Sequence, residues 1–475
     1  MVLSQVTEIA RWIDRVIVGL GVGCLAWMTW QLGGVLPGTM GVGLLWLFGS
    51  AGLVALRWWV IAPTGAPTGW WYPLPLLGWV GCHMLGLAEL PSRGWLHGWH
   101  MWSGLAAFWI GLHLARDARL WRWTLAGVGV ITLGVVGAAV YQRVGDASWL
   151  PPGREQVSQY LGRSAGTFGN PNSMAAWLAL VLPAAVGFAW KPPLNESAGA
   201  RWFAAGVALA AMVGIGLSYS RGVLLALLVG TSIAWLLNGR WSWPRRLGLV
   251  GAMGLLLAGL IWGAYQGNEQ VQQRVDSLVE FRGERTRPLL WGIAIDLWQE
   301  RPMIGFGGGS FGGLMERHRP EGLWESADSA HNEYLNGLSE YGLIGALLAL
   351  GVVSFLIRRI RRNPERPPAL LVGLGVLALA VLIDFHWRIP AVWWLAALSM
   401  GAVLAERQNW PKDRFTNDKQ MGSICFGVGV CLCFWVLPTL QAGPIFRAEE
   451  LRWPARESLN RLEGVSDAQR IREVA

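Results

Sequence analysis

SADSAHNEYLNGLSEYGLIGALLAL, residues 326–350, changes character halfway. Its first half carries an acid, several hydroxyls, a histidine and an asparagine, and its second half is apolar enough to enter a lipid bilayer. A helix needs about 20 mostly apolar residues to cross the hydrocarbon core, and the run 334–357 that starts here meets that length. The stretch reads as the polar mouth of a membrane helix, which makes the fold a membrane fold.

The rest of the chain agrees. Of its 475 residues, 53% are hydrophobic and 15% charged, with a mean hydropathy of +0.37. Soluble domains carry about a quarter charged residues, so the chain reads as embedded along its whole length. The 32 tryptophans fit this view, because indole rings favour the bilayer interface. The net charge of +9 follows from where positive residues fall in the loops and calls for no nucleic acid. Cys24, Cys82, Cys425, Cys431 and Cys433 all lie in apolar runs, with no CxxC pair and no zinc-like Cys/His spacing. They read as small buried hydrophobes, and neither a metal nor a cofactor is expected. Arg11 and Arg15 flank an apolar stretch as in a signal peptide, but no convincing cleavage site follows, so the first helix reads as retained.

The same length window marks thirteen segments: 13–32, 39–61, 72–88, 97–115, 121–141, 171–190, 202–218, 222–237, 246–265, 334–357, 368–385, 390–405 and 423–441. The expected fold is therefore an all-α integral membrane protein with about 12–13 transmembrane helices. Arg and Lys favour cytoplasmic loops. With the N-terminus inside, the inner loops collect Arg57, Arg116, Arg119, Arg122, Arg240, Arg245, Arg246, Arg358, Arg359, Arg361, Arg362, Arg366, Arg407, Lys412, Arg414 and Lys419. The short outer loops hold only Arg93, Arg143, Arg154, Arg163, Arg221 and Arg388. Two longer segments, 142–170 and 266–333, then face outward, and an odd span count sends the tail to the same side. The chain divides into N-terminal helices (1–141), a core with the outer loop 266–333 (142–357), C-terminal helices (358–441) and an amphipathic tail (442–475).

Loops longer than about 12–15 residues tend to be functional or disordered. Segment 266–333 contains LLWGIAIDLWQERP (289–302), whose apolar residues at 290, 291, 293, 294, 297 and 298 form a helical face. Pro302 ends that helix, and GFGGGSFGG (305–313) follows as a flexible turn. It lacks the GK[ST] ending of a phosphate-binding loop. The segment reads as a folded helical cap on the membrane surface.

Within this frame His331 is the first candidate for chemistry. With Asp328 or Ser329 as N-cap, it sits in the first turn of the span at 334–357. The positive helix end there disfavours imidazolium, favours the neutral form a general base needs, and attracts anions such as phosphate. Tyr334, Leu335 and Leu338 share its face, and Asn332 and Asn336 a neighbouring one. The alternative is an interfacial histidine satisfied by water or backbone. Arg221, in LSYSRGVLLALL (217–228), runs against the loop charge bias, so it either meets an anionic partner or snorkels to the headgroups. Arg285 and Arg287 precede the cap helix, and Arg163 lies in YLGRSAGTFGNPNSM (160–174). Arginine's planar fork suits phosphate oxygens, and several such arginines beside one helix mouth would cradle a diphosphate. His97 and His100, in HGWH, are weak metal candidates because no carboxylate or cysteine stands at ligand spacing. Asp384, His386 and Arg388 cluster at an outer boundary, where they either line a site or end a helix.

Four pieces of the chain, in order, resemble the O-antigen ligase and polymerase family of bacterial envelope polysaccharide enzymes. GTFGNPNSMAAWLALVLP (166–183) is similar to its Gly-x-Phe-x-Asn-Pro-Asn segment, which holds Asn170 and Asn172 here, and SYSRGVLLAL (218–227) to its Ser-x-Ser-Arg-Gly segment. RPLLWGIAIDLWQERPMIGFGGGSF (287–311) resembles its Arg-x-x-x-Trp helix with the following glycine run, and HNEYLNGLSEYGLIG (331–345) its His-Asn-x-Tyr-Leu helix. The resemblance implies a multi-pass glycosyltransferase of the bacterial inner membrane, with a GT-C-like helical fold. It implies a glycan donor on undecaprenyl diphosphate at the periplasmic face, and no metal or nucleotide sugar. It carries the catalytic base over to His331 and the diphosphate contacts to Arg221 and Arg287, with Arg163 and Arg285 beside them. Asn332, Tyr334, Asn170 and Asn172 are supporting residues. The Arg-x-x-x-Trp spacing favours Arg287 over Arg285. The tail resembles the start of periplasmic repeat extensions but is too short to hold a repeat array.

Ligase and polymerase are hardly divided by these motifs, and the acceptor is lipid A core, a growing glycan or a protein hydroxyl. The reading outside this class is a membrane transporter of a small anion such as bicarbonate, a label some relatives bear. Against it, the spans show no inverted repeat and almost no charge at mid-bilayer depth. A structural scaffold leaves the outer arginines and His331 without a role.

Overall fold

The computed structural model describes residues 2–61, 66–151, 153–192, 196–237, 286–321, 326–362 and 368–406, with isolated positions at 242–245, 247–248, 251, 323 and 429–430. Eleven of the thirteen expected spans are helices. They are α1 (Val2–Trp30), α2 (Pro37–Trp59), α3 (Leu74–Cys82), α4 (Pro91–Leu114), α5 (Ala118–Val144), α6 (Pro171–Trp190), α7 (Ala198–Ser218) and α8 (Arg221–Leu236). After the cap helix α9 (Thr286–Glu300) come α10 (Glu333–Arg362), α11 (Pro368–Ala380) and α12 (Pro390–Leu404). Spans 246–265 and 423–441 lie largely outside the described residues, and the tail 442–475 wholly so. Five of the described helices, α2, α5, α6, α7 and α10, are long and apolar enough to cross a membrane. The protein is an all-α, multi-pass membrane protein.

The helix starts follow local chemistry. Proline stands in the first turn of α2, α4, α6 and α12, where its missing N–H costs nothing. Asp117 caps α5 by accepting the N–H groups of Arg119 and Leu120, and Ser197 caps α7 through Ala200. Several boundaries differ from the hydropathy reading, two of them notably. Helix α1 begins at residue 2 instead of 13, and α11 stops at Ala380 instead of 385. The second difference frees residues 381–389 as a non-helical crossing with one 3-10 turn, His386–Arg388.

Helices α4, α6 and α12 sit at the centre, with Trp109, Trp177 and Trp394 fully buried. Buried indoles find partners for their N–H: Trp177 donates to Thr132 Oγ1 and Trp394 to Ser103 Oγ. The pair α4–α12 packs backbone to backbone. A Cβ on Gly111 would meet Leu398 O at 2.0 Å, and one on Gly401 would meet Phe108 O at 2.1 Å, the small-residue route to close helix approach in a membrane. Arg57, counted above among the inner loop charges, is instead buried in the last turn of α2. There it donates to Asp14 at 3.0 Å, and Asp14 also bonds His113 at 3.0 Å. A charge with so little exposure is stable only when paired.

The cap is built as expected on α9, whose Leu290, Ile293, Ala294 and Leu297 pack with Phe306, Phe311, Leu314 and Met315. It is tied to the α3–α4 connection by Glu89, which pairs with Arg301 at 2.6 Å and with Arg317. The segment GFGGGSFGG is not a flexible turn, because Gly305, Phe306, Gly307, Gly308, Ser310 and Phe311 are buried. Its backbone crosses α10 at a break: Phe306 N donates to Ser339 O and Gly307 N to Glu340 O. Gly305 (φ 71°) and Gly342 (φ 64°) carry the positive φ values this crossing needs. A Cβ on Gly342 would stand 2.3 Å from Met303 O, and one on Gly305 2.5 Å from the Glu340 carbonyl carbon. The glycines serve contact, not freedom.

Segment 142–170 carries a short antiparallel hairpin, β1 (Trp149–Leu150) with β2 (Arg154–Glu155), which the hydropathy pattern does not announce. Buried Gln142 holds it in place. Its amide donates to Trp149 O and Gly166 O and accepts from Ala165 N and Gly166 N.

Candidate functional site

His331 does not sit inside the first turn of α10. Asn332 is the N-cap: its Oδ1 accepts Tyr334 N and Leu335 N at 3.1 Å, and its carbonyl accepts Asn336 N. Asp328 and Ser329 lie upstream of the turn they were expected to cap. His331 takes a left-handed backbone, φ 51°, just outside the helix, so it does not share a helical face with Tyr334, Leu335 and Leu338. The first N–H groups are also occupied, since Glu333 N donates to Val381 O. The start of α10 thus keeps no orphan donors in its first three residues for an anion, contrary to the dipole reading, and any phosphate contact falls to side chains.

What orients His331 is a carboxylate 53 residues away. Nδ1 lies 3.3 Å from Asp384 Oδ1, in the crossing freed by the early end of α11. Asp384 is 5% exposed. Burial alone would raise its carboxyl. The hydrogen bond from His331, the charges of His386 and His331 and the N–H of Phe385 outweigh that and hold it below the usual carboxylate range. An ionised carboxylate only accepts, so Nδ1 carries the proton and Nε2 is the basic nitrogen. The ring rests edge-on against Phe385, with centroids 4.9 Å apart.

The carboxylate is itself held from a third element. Asp384 Oδ2 accepts Asn172 Nδ2 at 2.8 Å; Asn172 Oδ1 accepts Arg163 at 2.5 Å, and Arg163 Nε donates to Ser218 O at 2.9 Å. Asn170 caps α6 through Asn172 N and Ser173 N and donates to Tyr160 Oη at 3.3 Å. Burial raises the Tyr160 phenol; the charge of Arg163 opposes this and the nearby Asp384 adds to it. Arg163, Asn170 and Asn172, selected by sequence, therefore converge with His331 through Asp384.

Arg221 opens α8, and Arg287 lies in the first turn of α9. A Cβ on Gly222 would stand 2.6 Å from the Ile383 side chain, which sets the first turn of α8 against the segment leading into Asp384. Arg287 lies within electrostatic reach of His386: burial lowers that imidazole, the Asp384 carboxylate opposes this, and the charges of Arg287 and His331 add to the lowering. Tyr334 is half-exposed and donates to Ala378 O at 2.9 Å. Arg285 lies outside the described residues. His97 and His100 engage other partners, Tyr341 Oη at 2.9 Å and Trp387 O at 2.7 Å. Among the described residues no cluster of His, Cys, Asp and Glu is arranged to hold a metal.

Asp384 is the residue the sequence weighed without resolving. A signal was present: an acid closing an apolar run, with Pro390 ready to start the next helix.

Residues 205–350 match the family model described as O-antigen ligase. That segment contains three of the four motifs and with them Arg221, Arg287 and His331. The resemblance holds there, and the chain carries an O-antigen-ligase-type, glycosyltransferase-like membrane segment. No curated protein matches the chain. Arg163, Asn172 and Asp384 flank the matched segment on either side and reach His331 only through the fold. Nothing in the match or the described residues supports the anion-transport alternative.

Proposed function

We propose that the protein transfers a glycan from an undecaprenyl-diphosphate carrier to an acceptor hydroxyl, on the outer face of the bacterial inner membrane. The observation that carries this reading is the Asp384–His331 pair, a buried carboxylate on Nδ1 of a part-exposed imidazole. It is the arrangement of a positioned general base.

In this mechanism Nε2 takes the proton of the acceptor hydroxyl, and the acceptor oxygen attacks the anomeric carbon. The bond from that carbon to the diphosphate oxygen breaks, and its electron pair leaves on the diphosphate. Attack opposite the leaving group inverts the anomeric centre. Arg221 and Arg287, brought towards the same crossing from α8 and α9, neutralise the charge on the departing diphosphate. Arg163 keeps Asn172, and so Asp384, in register. The charge bias of the loops supports the outward side. The acceptor class, whether lipid A core, a growing glycan or a protein hydroxyl, sets ligase against polymerase activity.

The test is His331→Ala in the native host, with lipid-linked glycans and surface polysaccharide analysed together. Carrier-linked glycan builds up and surface polymer is lost. Surface polymer of unchanged amount and length would rule His331 out as the base. Long carrier-linked chains in a deletion strain mark a ligase, and single units mark a polymerase.

A further inference from the structure

We infer that Arg388 is a positioning residue that sets the His331–Asp384 pair by clamping the 381–389 crossing to α10; this rests on the transfer reading above. Arg388 Nε donates to Glu333 Oε1 at 3.0 Å and its terminal nitrogen to Glu340 Oε1 at 2.8 Å. Glu333 is two residues from His331, and Arg388 is four from Asp384. One side chain therefore joins the two segments that carry the two halves of the pair. A second tie stands on the other side of Asp384, where Glu333 N meets Val381 O at 3.0 Å. His100 holds the crossing from α4 through Trp387 O. Asp384 is bracketed by contacts at 381, 387 and 388, so its Oδ1 is presented to Nδ1 by a framework and not by loop preference.

The fork of arginine is what the clamp requires. Glu340 and Glu333 are 1% and 8% exposed in their side chains, and Arg388 17%. Two carboxylates two helical turns apart need a planar donor that reaches both, and a lysine ammonium reaches one. Arg388 is also faced by Tyr341 of α10 and by His97 and His100 of α4. His331 is faced by Asp384 and His386, with Arg287 beside the latter. Glu333 joins the two surroundings, since it accepts from Arg388 and lies within electrostatic reach of Asp384; Arg388 itself bonds Glu333 and Glu340 and neither member of the pair, so it acts on the base through position.

Arg388→Lys, purified and reconstituted with lipid-linked glycan and acceptor, tests this. The expected result is a kcat lower by about tenfold, one charge-assisted hydrogen bond's worth, with KM for the donor within about twofold. Because the loss runs through Asp384, it should disappear in an Asp384→Asn background. A merely structural role would add its full loss to that of Asp384→Asn. Wild-type kcat, or a loss per folded protein that is equal in both backgrounds, overturns the inference. Should Arg388→Lys not fold, Arg388→Gln/Glu340→Gln, which removes charge from both partners, carries the same readouts. A wild-type protein without transfer overturns the functional reading and this one with it. A transferring wild type with an indifferent clamp variant overturns this one alone.

Discussion

Replacing Asp384 by asparagine keeps the size of the side chain and changes only what its two terminal atoms can do. In the native protein both are acceptors: Oδ1 takes His331 Nδ1–H and Phe385 N, and Oδ2 takes Asn172 Nδ2. An amide has one acceptor and one donor. If its oxygen faces His331, its NH2 meets the NH2 of Asn172. Asn172 cannot turn over to accept it, because its Oδ1 already receives Arg163 at 2.5 Å and would be replaced there by a donor. If the amide turns instead, its NH2 faces His331 and forces the proton onto Nε2, the nitrogen that has to accept one. Either way the base loses a charge-assisted partner worth about 1.5–3 kcal/mol, which is about 10- to 150-fold in kcat at 1.36 kcal/mol per factor of ten. The assay is transfer from lipid-linked glycan in proteoliposomes, with folding followed by size exclusion and thermal unfolding. The double variant Asp384→Asn/Asn172→Asp supplies the internal control. The carboxylate it places at position 172 accepts both from the amide at position 384 and from Arg163, so every bond is satisfied again and only the position of the charge has moved. It should recover the part of the loss that comes from orientation. A well-folded Asp384→Asn at wild-type kcat refutes the reasoning.

Gly342→Ala should destabilise the protein by more than about 1–3 kcal/mol, since strained φ/ψ is compounded by contact with Met303 O. Gly337→Ala on the same helix, with open space around it, should leave the unfolding temperature unchanged or higher; equal effects at both sites would remove the crossing argument. The lowered His386 imidazole gives stability that is present above its unfolded value of about 6.5 and falls as pH drops below it. Thermal unfolding should therefore weaken from about pH 7.5 to 5.5, with a smaller slope in His386→Asn. Parallel slopes would contradict it.

The helical plan was legible because lipid imposes it: eleven apolar runs became helices, and the face of α9 was read residue by residue. The errors concentrate where two local signals compete. The cap expected at Asp328 or Ser329 is instead Asn332, a residue of similar capping strength, and that move takes His331 from a helix turn to a left-handed position outside it. The run 368–385 stays apolar to its last residues, so hydropathy carries the helix past Ala380 and hides the acid in a span. GFGGGSFGG illustrates a different ambiguity. Glycine serves a mobile turn and a close backbone crossing equally well, and only the partner, Gly342 at the break in α10, tells them apart.

That pattern explains why a motif can find the proposed base and miss the carboxylate that orients it. The matched segment, 205–350, holds Arg221 and Arg287 in the first turns of their helices and His331 just before α10, each inside a short motif that a pattern of neighbouring residues can pick out. Asp384 and Asn172 matter over a longer range. Asp384 Oδ1 is presented to a residue 53 positions away and Asn172 Nδ2 to one 212 positions away, and that presentation depends on ties at Val381, Trp387 and Arg388 that no spacing rule connects to a histidine. A single acid at the end of a membrane span is ordinary in composition. It becomes a site residue only because α10 and the 381–389 crossing are pinned at a fixed offset, so the functional information lies in the pinning contacts as much as in the acid.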